Sequence, residues 1–374
     1  MHETHTGEHI ADSAMAAGVT PADSSGTSRR VRYVSAYTDL RRQIQAAGLL
    51  KRRYGYYWTT LLITVTIFAG IWVAFAFVGN SWLQLVLAAL LAITLAQFGF
   101  LGHDAAHRQI FASHRWNEWT SRVISGLFTG LSYGWWHNKH NRHHANPNKE
   151  GADPDLSPGA FAFTPAAAAA RRGLAARLTP RQGYYFFPLL LLEGLSLHVA
   201  SVQTIIRRRD LKHRWCEALF VTTRLVGYVT VLLIFLPPGK AAAFFGVQMG
   251  LFGLLLGGSF APNHIGMPIV SADEKVDFLR RQVLMSRNIR GGLAIDFMLG
   301  GLNHQIEHHL FPNMPRPNLR RARAIIRDYC AQHDVRYTET SLLEAYRTVA
   351  RYLNKVGLTG VDTFRCPLTE QYRV

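Results

Sequence analysis

Long apolar runs alternate with polar segments along this chain. Four of these runs carry few charges, and each is about 20 residues long, enough to cross a hydrocarbon core of about 30 Å as a helix. We predict membrane-spanning helices over about 57–78, 82–101, 217–236 and 241–261. Short turns at 79–81 and 237–239 separate the members of each pair, so the pattern predicts two helical hairpins.

The flanking charges predict the orientation of these hairpins. Arginines and lysines crowd the segment before the first span, whereas the hairpin turns carry only Lys240. The positive-inside rule then places the N-terminus in the cytoplasm. Both hairpins would begin and end on that side, so residues 102–215 and everything after Pro262 would form a cytoplasmic cap.

Two further apolar stretches are less suited to crossing the membrane. They are Trp119 to Trp136 and Gly183 to Val202. The first contains Arg122, and the second contains Glu193 and His198. Because a charge in the middle of a membrane is costly, we expect both stretches to lie at the interface or under the cap.

The chain divides into three parts. Residues 1–28 are rich in small and polar residues and predict a disordered tail, in which His2, His5 and His9 are solvated. Residues 29–56 form a basic cytoplasmic or interfacial segment, and 57–374 form one all-α membrane domain. Within that domain an amphipathic helix is predicted from Pro315 on, because apolar residues recur there at helical spacing.

Composition narrows the choice of partners. The 41 Lys+Arg exceed the 24 Asp+Glu, giving a formal net charge of +17 that suits nucleic acid or anionic lipid. A soluble nucleic-acid binder has no use for runs of 20 apolar residues, so we expect a lipid bilayer and no nucleic acid. Cys216, Cys330 and Cys366 are far apart and indicate neither a disulfide framework nor a thiolate metal site.

Histidines form three groups beside the predicted spans. The groups are HDAAH (103–107), HNRHH (140–144) and HQIEHH (304–309), and His264 stands alone after the fourth span. Spacings of three and four residues put imidazoles on one helix face, where they can share a metal. A lone histidine is more often a surface or core residue, but so many in such patterns indicate ligands.

Eight or nine imidazoles exceed what one ion can use, so the set predicts two metals. Imidazole suits iron and zinc alike. A site at the mouth of a bilayer without an HExxH motif favours iron, and the oxidation of a lipid chain over hydrolysis.

These motifs resemble the three histidine boxes of the membrane fatty acid desaturases. The third box reads QIEHHLFP (305–312), and APNHIGMP (261–268) is similar to an additional histidine segment of that family. The resemblance extends from about Tyr57 to Asn318 and implies an enzyme that desaturates a fatty acyl chain, carried as acyl-CoA or acyl-lipid, with O2 and two non-haem irons.

The resemblance also implies the ligands. They are His103, His107, His140, His143, His144, His264, His308 and His309. Gln305 stands where related enzymes have histidine, a form similar to the front-end desaturases, so Gln305, His304 or a water completes the shell. His137 is expected to lie outside the first layer of ligands or at the surface. Three carboxylates are candidates to orient ligand imidazoles or are solvent-facing charges: Asp104, Asp296 and Glu307.

The sequence has no HPGG haem motif, so the electrons are expected from a separate protein such as ferredoxin or cytochrome b5 with its reductase. A hydroxylase or alkane monooxygenase is the alternative within oxidation, because it needs only small changes in geometry. A histidine-rich membrane metal transporter is a more distant alternative, since its ligands would lie within the spans near the midplane.

Overall fold

The computed structural model describes residues 36–359. The N-terminal tail with its three histidines, the arginines at positions 29, 30 and 32, and Cys366 lie outside the described residues. The described part is almost entirely helical, which confirms a mostly α-helical fold.

Within the described residues, four helices are long and apolar enough to cross a membrane, as predicted. They are α2 (Tyr54–Val78), α3 (Gln84–Ala106), α10 (Arg214–Phe235) and α11 (Pro238–His264), and a first helix, α1, precedes them over 36–46. The predicted ends of α3 and α11 were too early. His103 therefore lies inside the last turn of α3 and His264 ends α11, because polar residues stop an apolar run without stopping a helix.

The four long helices differ in their surroundings. About half of the apolar window is buried in α3 (56%) and α11 (50%), against 17% in α2 and in α10. A methyl group at Gly99 of α3 would come within 3.3 Å of Leu256 Cδ2 on α11, which shows how closely the central pair packs. The outer helices present side chains such as Phe77 and Ile234 outward, as lipid contact requires.

The predicted interfacial stretches are both broken. The first is divided among α4 (His114–Val123), a π-helical turn (Ile124–Thr129) and α5 (Tyr133–Ala145). The second forms α8 (Gln182–Leu190) and α9 (Glu193–Arg207), which meet at a bend of 81° and reach the length of a fifth crossing only if counted together. Their position at the membrane interface stays a prediction.

The remaining helices of the described residues are shorter than these four. They are α6 (Pro165–Ala169), α7 (Gly173–Leu178), α12 (Phe278–Leu284), α13 (Leu293–Met298), α14 (Gln305–Leu310), α15 (Arg316–Gln332) and α16 (Leu342–Thr359). Short 3-10 turns cover Pro154–Leu156 and Thr179–Arg181. The predicted amphipathic helix is α15, which buries Leu319, Ala322 and Ile326 in a core shared with Leu40 and Ile44 of α1.

One small sheet was not predicted. β1 (Asn288–Arg290) pairs in parallel with β2 (Glu339–Ser341), with Ile289 opposite Thr340. β1 is buried at its first two residues and leads into α13 and α14, so the sheet fixes the approach to the third histidine box.

Candidate metal centre

Four helices bring the histidines together. The last turn of α3 carries His103, and His107 follows directly, with ring centroids 4.7 Å apart. α5 carries the second box; its N-terminus is capped by Ser132, whose hydroxyl accepts a hydrogen bond from the Trp135 amide at 3.2 Å. The end of α11 and the short α14 supply the rest.

The imidazoles form two groups. Within each group one ring nitrogen of every member lies within 4.8 Å of the others. The five-histidine group consists of His103, His107, His140, His144 and His308, and the three-histidine group of His143, His264 and His309. All eight histidines that the resemblance implied as ligands are therefore collected, and they divide into two candidate metal positions.

Adjacent histidines serve different groups. On α5, His143 belongs to the three-histidine group and its neighbour His144 to the five-histidine group. On α14, His309 belongs to the three-histidine group and its neighbour His308 to the five-histidine group. Consecutive residues on an α-helix point about 100° apart, so a double histidine can reach two centres at once. This explains why both boxes end in HH.

The donor set fits metal ions. Imidazole nitrogens face one another at short range, with His144 Nε2 3.1 Å from His308 Nε2 and His143 Nε2 3.3 Å from His264 Nε2. In residues 36–359 the buried Nε2 atoms of His103, His107 and His309 have no hydrogen-bond partner. Buried ring nitrogens normally find a partner, and one cation in each group would satisfy these.

Burial keeps most of these rings neutral. It is the main reason why the pKa values of His107, His144 and His308 lie well below the usual range, with repulsion from neighbouring imidazoles adding to it. Burial also lowers the pKa of His143, but the Asp153 hydrogen bond and the nearby carboxylates outweigh burial and raise it overall. Neutral imidazole is the form that binds metal.

The three-histidine group is held from outside by hydrogen bonds to every Nδ1. His143 Nδ1 lies 3.0 Å from Asp153 Oδ2, His309 Nδ1 lies 2.9 Å from Gln282 Oε1, and His264 Nδ1 lies 2.9 Å from the Met285 carbonyl. A protonated Nδ1 leaves Nε2 free for a metal. Neither Asp153 nor Gln282 was identified from the sequence, because a loop and the separate helix α12 deliver them.

The carboxylates proposed from the sequence have other partners. Asp104 lies 3.5 Å from His103 Nδ1 but pairs more closely with Arg316, at 2.6 Å. Glu307 is fully buried and accepts hydrogen bonds from Asn288 and Tyr337, so it supports the fold around β1 and contacts no imidazole of either group. The solvent-facing reading is wrong for Asp104 and Glu307.

His304 and Gln305 differ sharply in position. His304 lies outside both groups, with its Nε2 3.2 Å from Asp296 Oδ1, which gives its predicted ligand role no support. The Gln305 side-chain amide lies 2.9 Å from His264 Nε2 and so sits at the three-histidine group. His137 is half-buried, lies 3.0 Å from the Asn141 side-chain amide and belongs to neither group.

A largely apolar cavity of about 310 Å³ opens beside the histidines. Its wall includes His103, His140, His143 and His264 together with aromatic and aliphatic side chains from α3, α8, α9 and α11. Three charged residues also line it: Lys139, Asp155 and Glu193. Lys139 pairs with Asp155 at 2.7 Å, and Asp155 reaches His143 Nδ1 at 3.3 Å, so the charged section adjoins the three-histidine group.

Comparison with known proteins gives consistent matches. The family model described as fatty acid desaturase matches residues 80–341. The Delta(6)-fatty-acid desaturase fat-3 of Caenorhabditis elegans is 31% identical over 330 residues, covering 84% of this chain and 73% of that protein. The Acyl-lipid (9-3)-desaturase of Physcomitrium patens is 30% identical, covering 87% of this chain and 63% of that protein. The Delta(8)-fatty-acid desaturase of Helianthus annuus is 26% identical, with 87% and 74% covered.

Proposed function

The chain belongs to the membrane fatty acid desaturase family, and from this premise we propose that it converts a –CH2–CH2– unit of a fatty acyl chain to –CH=CH– with dioxygen, at two irons held by its two histidine groups. As a family member it is an oxidoreductase of lipid metabolism and an integral membrane protein. The three relatives carry different positions in their names, so the family alone does not set the position of the double bond.

The observation that carries this proposal is the contact between the histidine groups and the apolar cavity. Four of the eight imidazoles form part of the cavity wall. Alkyl C–H bonds are too strong for acid or base attack, and iron bound at the histidines would supply the redox chemistry with dioxygen. The chain's own task is to place a methylene pair beside those rings and to keep water away.

The cavity wall has an apolar section and a charged section, and each suits a different part of the substrate. Aromatic side chains such as Trp136, Phe186 and Phe260 offer a dry wall to the hydrocarbon chain. The charged section formed by Lys139, Asp155 and Glu193 suits the polar end of the acyl group. Because this section adjoins His143, we expect oxidation near the carboxyl end of the chain, in keeping with the resemblance to the front-end desaturases.

We also propose that this centre faces the cytoplasm. His103, His107 and His264 lie at the ends of α3 and α11. This is the same end at which α2 begins, after Lys51, Arg52 and Arg53. Reporter fusions after Ser81 and Pro238 should report the outside, and fusions after Pro154 and at the C-terminus the inside. An outside signal at Pro154 would contradict this arrangement.

Product analysis tests the proposed reaction. The protein is expressed in a host of known lipid composition, and its fatty acids are compared by mass spectrometry with those of a host that carries the His144→Ala variant. New alkenes that depend on His144 are expected. Hydroxylated chains in place of alkenes would favour the monooxygenase alternative, and no new product would contradict both.

A further inference from the structure

The short helix α14 carries two imidazoles that belong to different groups. His308 is part of the five-histidine group and His309 of the three-histidine group, and both side chains are buried. The helix has only six residues, and isolated helices of that length are unstable in water. Contacts with the rest of the chain must therefore fix the rotation of α14, and with it one ligand of each candidate metal position.

Glu307 supplies such a contact from the position just before His308. Its side chain is fully buried and belongs to neither histidine group. Each carboxylate oxygen accepts a hydrogen bond: Oε1 from the Tyr337 hydroxyl at 2.5 Å and Oε2 from the Asn288 side-chain amide at 2.7 Å. A buried carboxylate is costly without such bonds, so the two donors hold Glu307 in one place.

Asn288, the first residue of β1, completes a network around this carboxylate. Its side-chain amide also donates to the Tyr337 hydroxyl oxygen at 2.6 Å, and its side-chain oxygen accepts a hydrogen bond from the Ile306 amide at 2.9 Å. Its backbone amide donates to the Thr338 carbonyl at 2.9 Å. The network therefore joins α14 to β1 and to the segment that enters β2.

Tyr337 lies in a part of the chain that contributes no candidate ligand, but that part is firmly held. Val335 is buried in the core that also contains Ile306, and Glu339 pairs with Arg323 of α15. Burial and the neighbouring Glu307 carboxylate raise the pKa of Tyr337, so its hydroxyl keeps its proton and donates it in the hydrogen bond. The fold thus presents a fixed donor to Glu307.

We propose that Tyr337 is a positioning residue for the reaction: its hydroxyl acts through Glu307 to fix the rotation of α14, so that His308 and His309 each reach their own group. This deepens the proposed function and rests on it, because the two groups are taken as iron sites. A rotation of α14 would turn both imidazoles together, so the loss of one hydroxyl should change the ligand geometry in both groups at once.

Iron binding by Tyr337→Phe tests the proposal without relying on activity. The variant and the unaltered protein are prepared metal-free in nanodiscs and titrated with ferrous iron, and the loaded samples are compared by Mössbauer spectroscopy. The affinity should fall about tenfold or more, as is usual when support for metal ligands is removed. The signals of both irons should also change. An unchanged affinity with an unchanged spectrum would overturn the proposal.

Tyr329→Phe is the matched control for a general loss of stability. Tyr329 packs in the same core as Tyr337, but its hydroxyl donates to the Ala36 carbonyl and has no contact with α14. Each variant loses one hydroxyl hydrogen bond, so both should lower the melting temperature by similar amounts. Only Tyr337→Phe should change the iron affinity and the spectrum. Equal changes in both variants would overturn the proposal.

A double-mutant cycle tests whether Tyr337 acts through Glu307. Once Glu307→Leu has removed the carboxylate, Tyr337→Phe should have little further effect on iron affinity, because residues that act through one contact are not additive. Glu307→Gln keeps one acceptor oxygen and should retain more affinity than Glu307→Leu. Fully additive losses would overturn the proposal. If Glu307→Leu does not fold, the comparison of Tyr337→Phe with Tyr329→Phe still decides it.

Kinetics separate this proposal from the proposed function. Neither Tyr337 nor Glu307 lines the acyl cavity, so Tyr337→Phe should lower kcat about tenfold and leave KM for the acyl substrate nearly unchanged. A raised KM with unchanged kcat would contradict a role at the irons. If the unaltered protein binds iron but forms no alkene, the proposed function fails, whereas the iron affinities of Tyr337→Phe and Tyr329→Phe still decide the role of Tyr337.

Discussion

The two histidine groups solve the same ligation problem in different ways. The five-histidine group has many imidazoles and little outside support: its nearest carboxylate is 3.5 Å from His103, and the Nδ1 atoms of His144 and His308 have no hydrogen-bond partner among residues 36–359. The three-histidine group has few imidazoles, but every Nδ1 is bonded to a protein oxygen. The comparison indicates two ways to hold a metal: many imidazoles with few hydrogen bonds to orient them, or few imidazoles that are each oriented by a hydrogen bond.

Removing one ligand from each group should have the largest effect. His144→Ala leaves four imidazoles in its group and His309→Ala leaves two, so we expect product at background in both but a greater loss of metal from His309→Ala. Metal content and product are measured on the same nanodisc samples. Equal metal loss in both variants would break the comparison.

The control for this pair is His213→Ala. His213 is exposed, its imidazole lies against the Trp119 ring, and it belongs to neither histidine group, so its removal should leave most of the activity. His198, although outside the boxes, is not a suitable control. It is buried and contacts the carbonyls of Thr129 and Gly194, so its removal would disturb the π-helical turn.

A carboxylate should affect metal affinity only where it forms a close hydrogen bond with a ligand imidazole. Asp153→Asn keeps the shape of the side chain but removes the charge beside His143, and we expect metal affinity to fall about tenfold or more. The matched variant Asp104→Asn should change metal affinity much less. Titration of the metal-free protein with ferrous iron measures both, and a larger loss in Asp104→Asn would contradict the account.

Asp104→Asn should instead lower stability. Arg316 is buried, and the Asp104 carboxylate raises the pKa of its guanidinium against the opposing effect of burial. Leaving that charge without its partner should cost about 3–5 kcal/mol of unfolding free energy. Thermal unfolding of the metal-free variant beside the metal-free unaltered protein checks this.

Acidification should act on His143 with the opposite sign from the other imidazoles, including His309 of its own group, whose pKa burial lowers. The pKa values of His107, His140, His144 and His308 are lowered in the folded protein, mainly by burial. The unfolded chain therefore takes up protons first as pH falls below about 6.5, and the folded protein loses stability. The raised pKa of His143 adds stability below that pH, which is lost as pH rises through the folded value. The lowered values outnumber the raised one, so the melting temperature of metal-free protein should fall from pH 7 to 5. A constant or rising melting temperature would contradict this.

The smallest effect is expected at His304. It is bonded to Asp296 and belongs to neither group, so His304→Ala should lower metal content little and activity only modestly. Gln305→Leu, one position later, should lower the metal content more, because the Gln305 amide contacts His264. A larger loss of metal from His304→Ala than from Gln305→Leu would indicate that His304 is a ligand.

Local patterns predicted much of this molecule. The i, i+4 spacing of His103 and His107 identified a shared face, and the recurrence of Leu319, Ala322 and Ile326 identified α15, because both depend only on the geometry of one helix. The division of the histidines into groups depends on how four helices meet, which no local spacing records. The same holds for Asp153 and Gln282, and for β1 pairing with β2 about 50 residues later.

Metal content of active protein tests the central claim most directly. Protein purified in nanodiscs is analysed for iron, zinc and haem, and its desaturation rate is measured on the same sample. The account predicts about two irons per chain, no haem, and activity that rises in proportion to iron, since eight imidazoles form two groups. Full activity with a single iron or with zinc alone would contradict it.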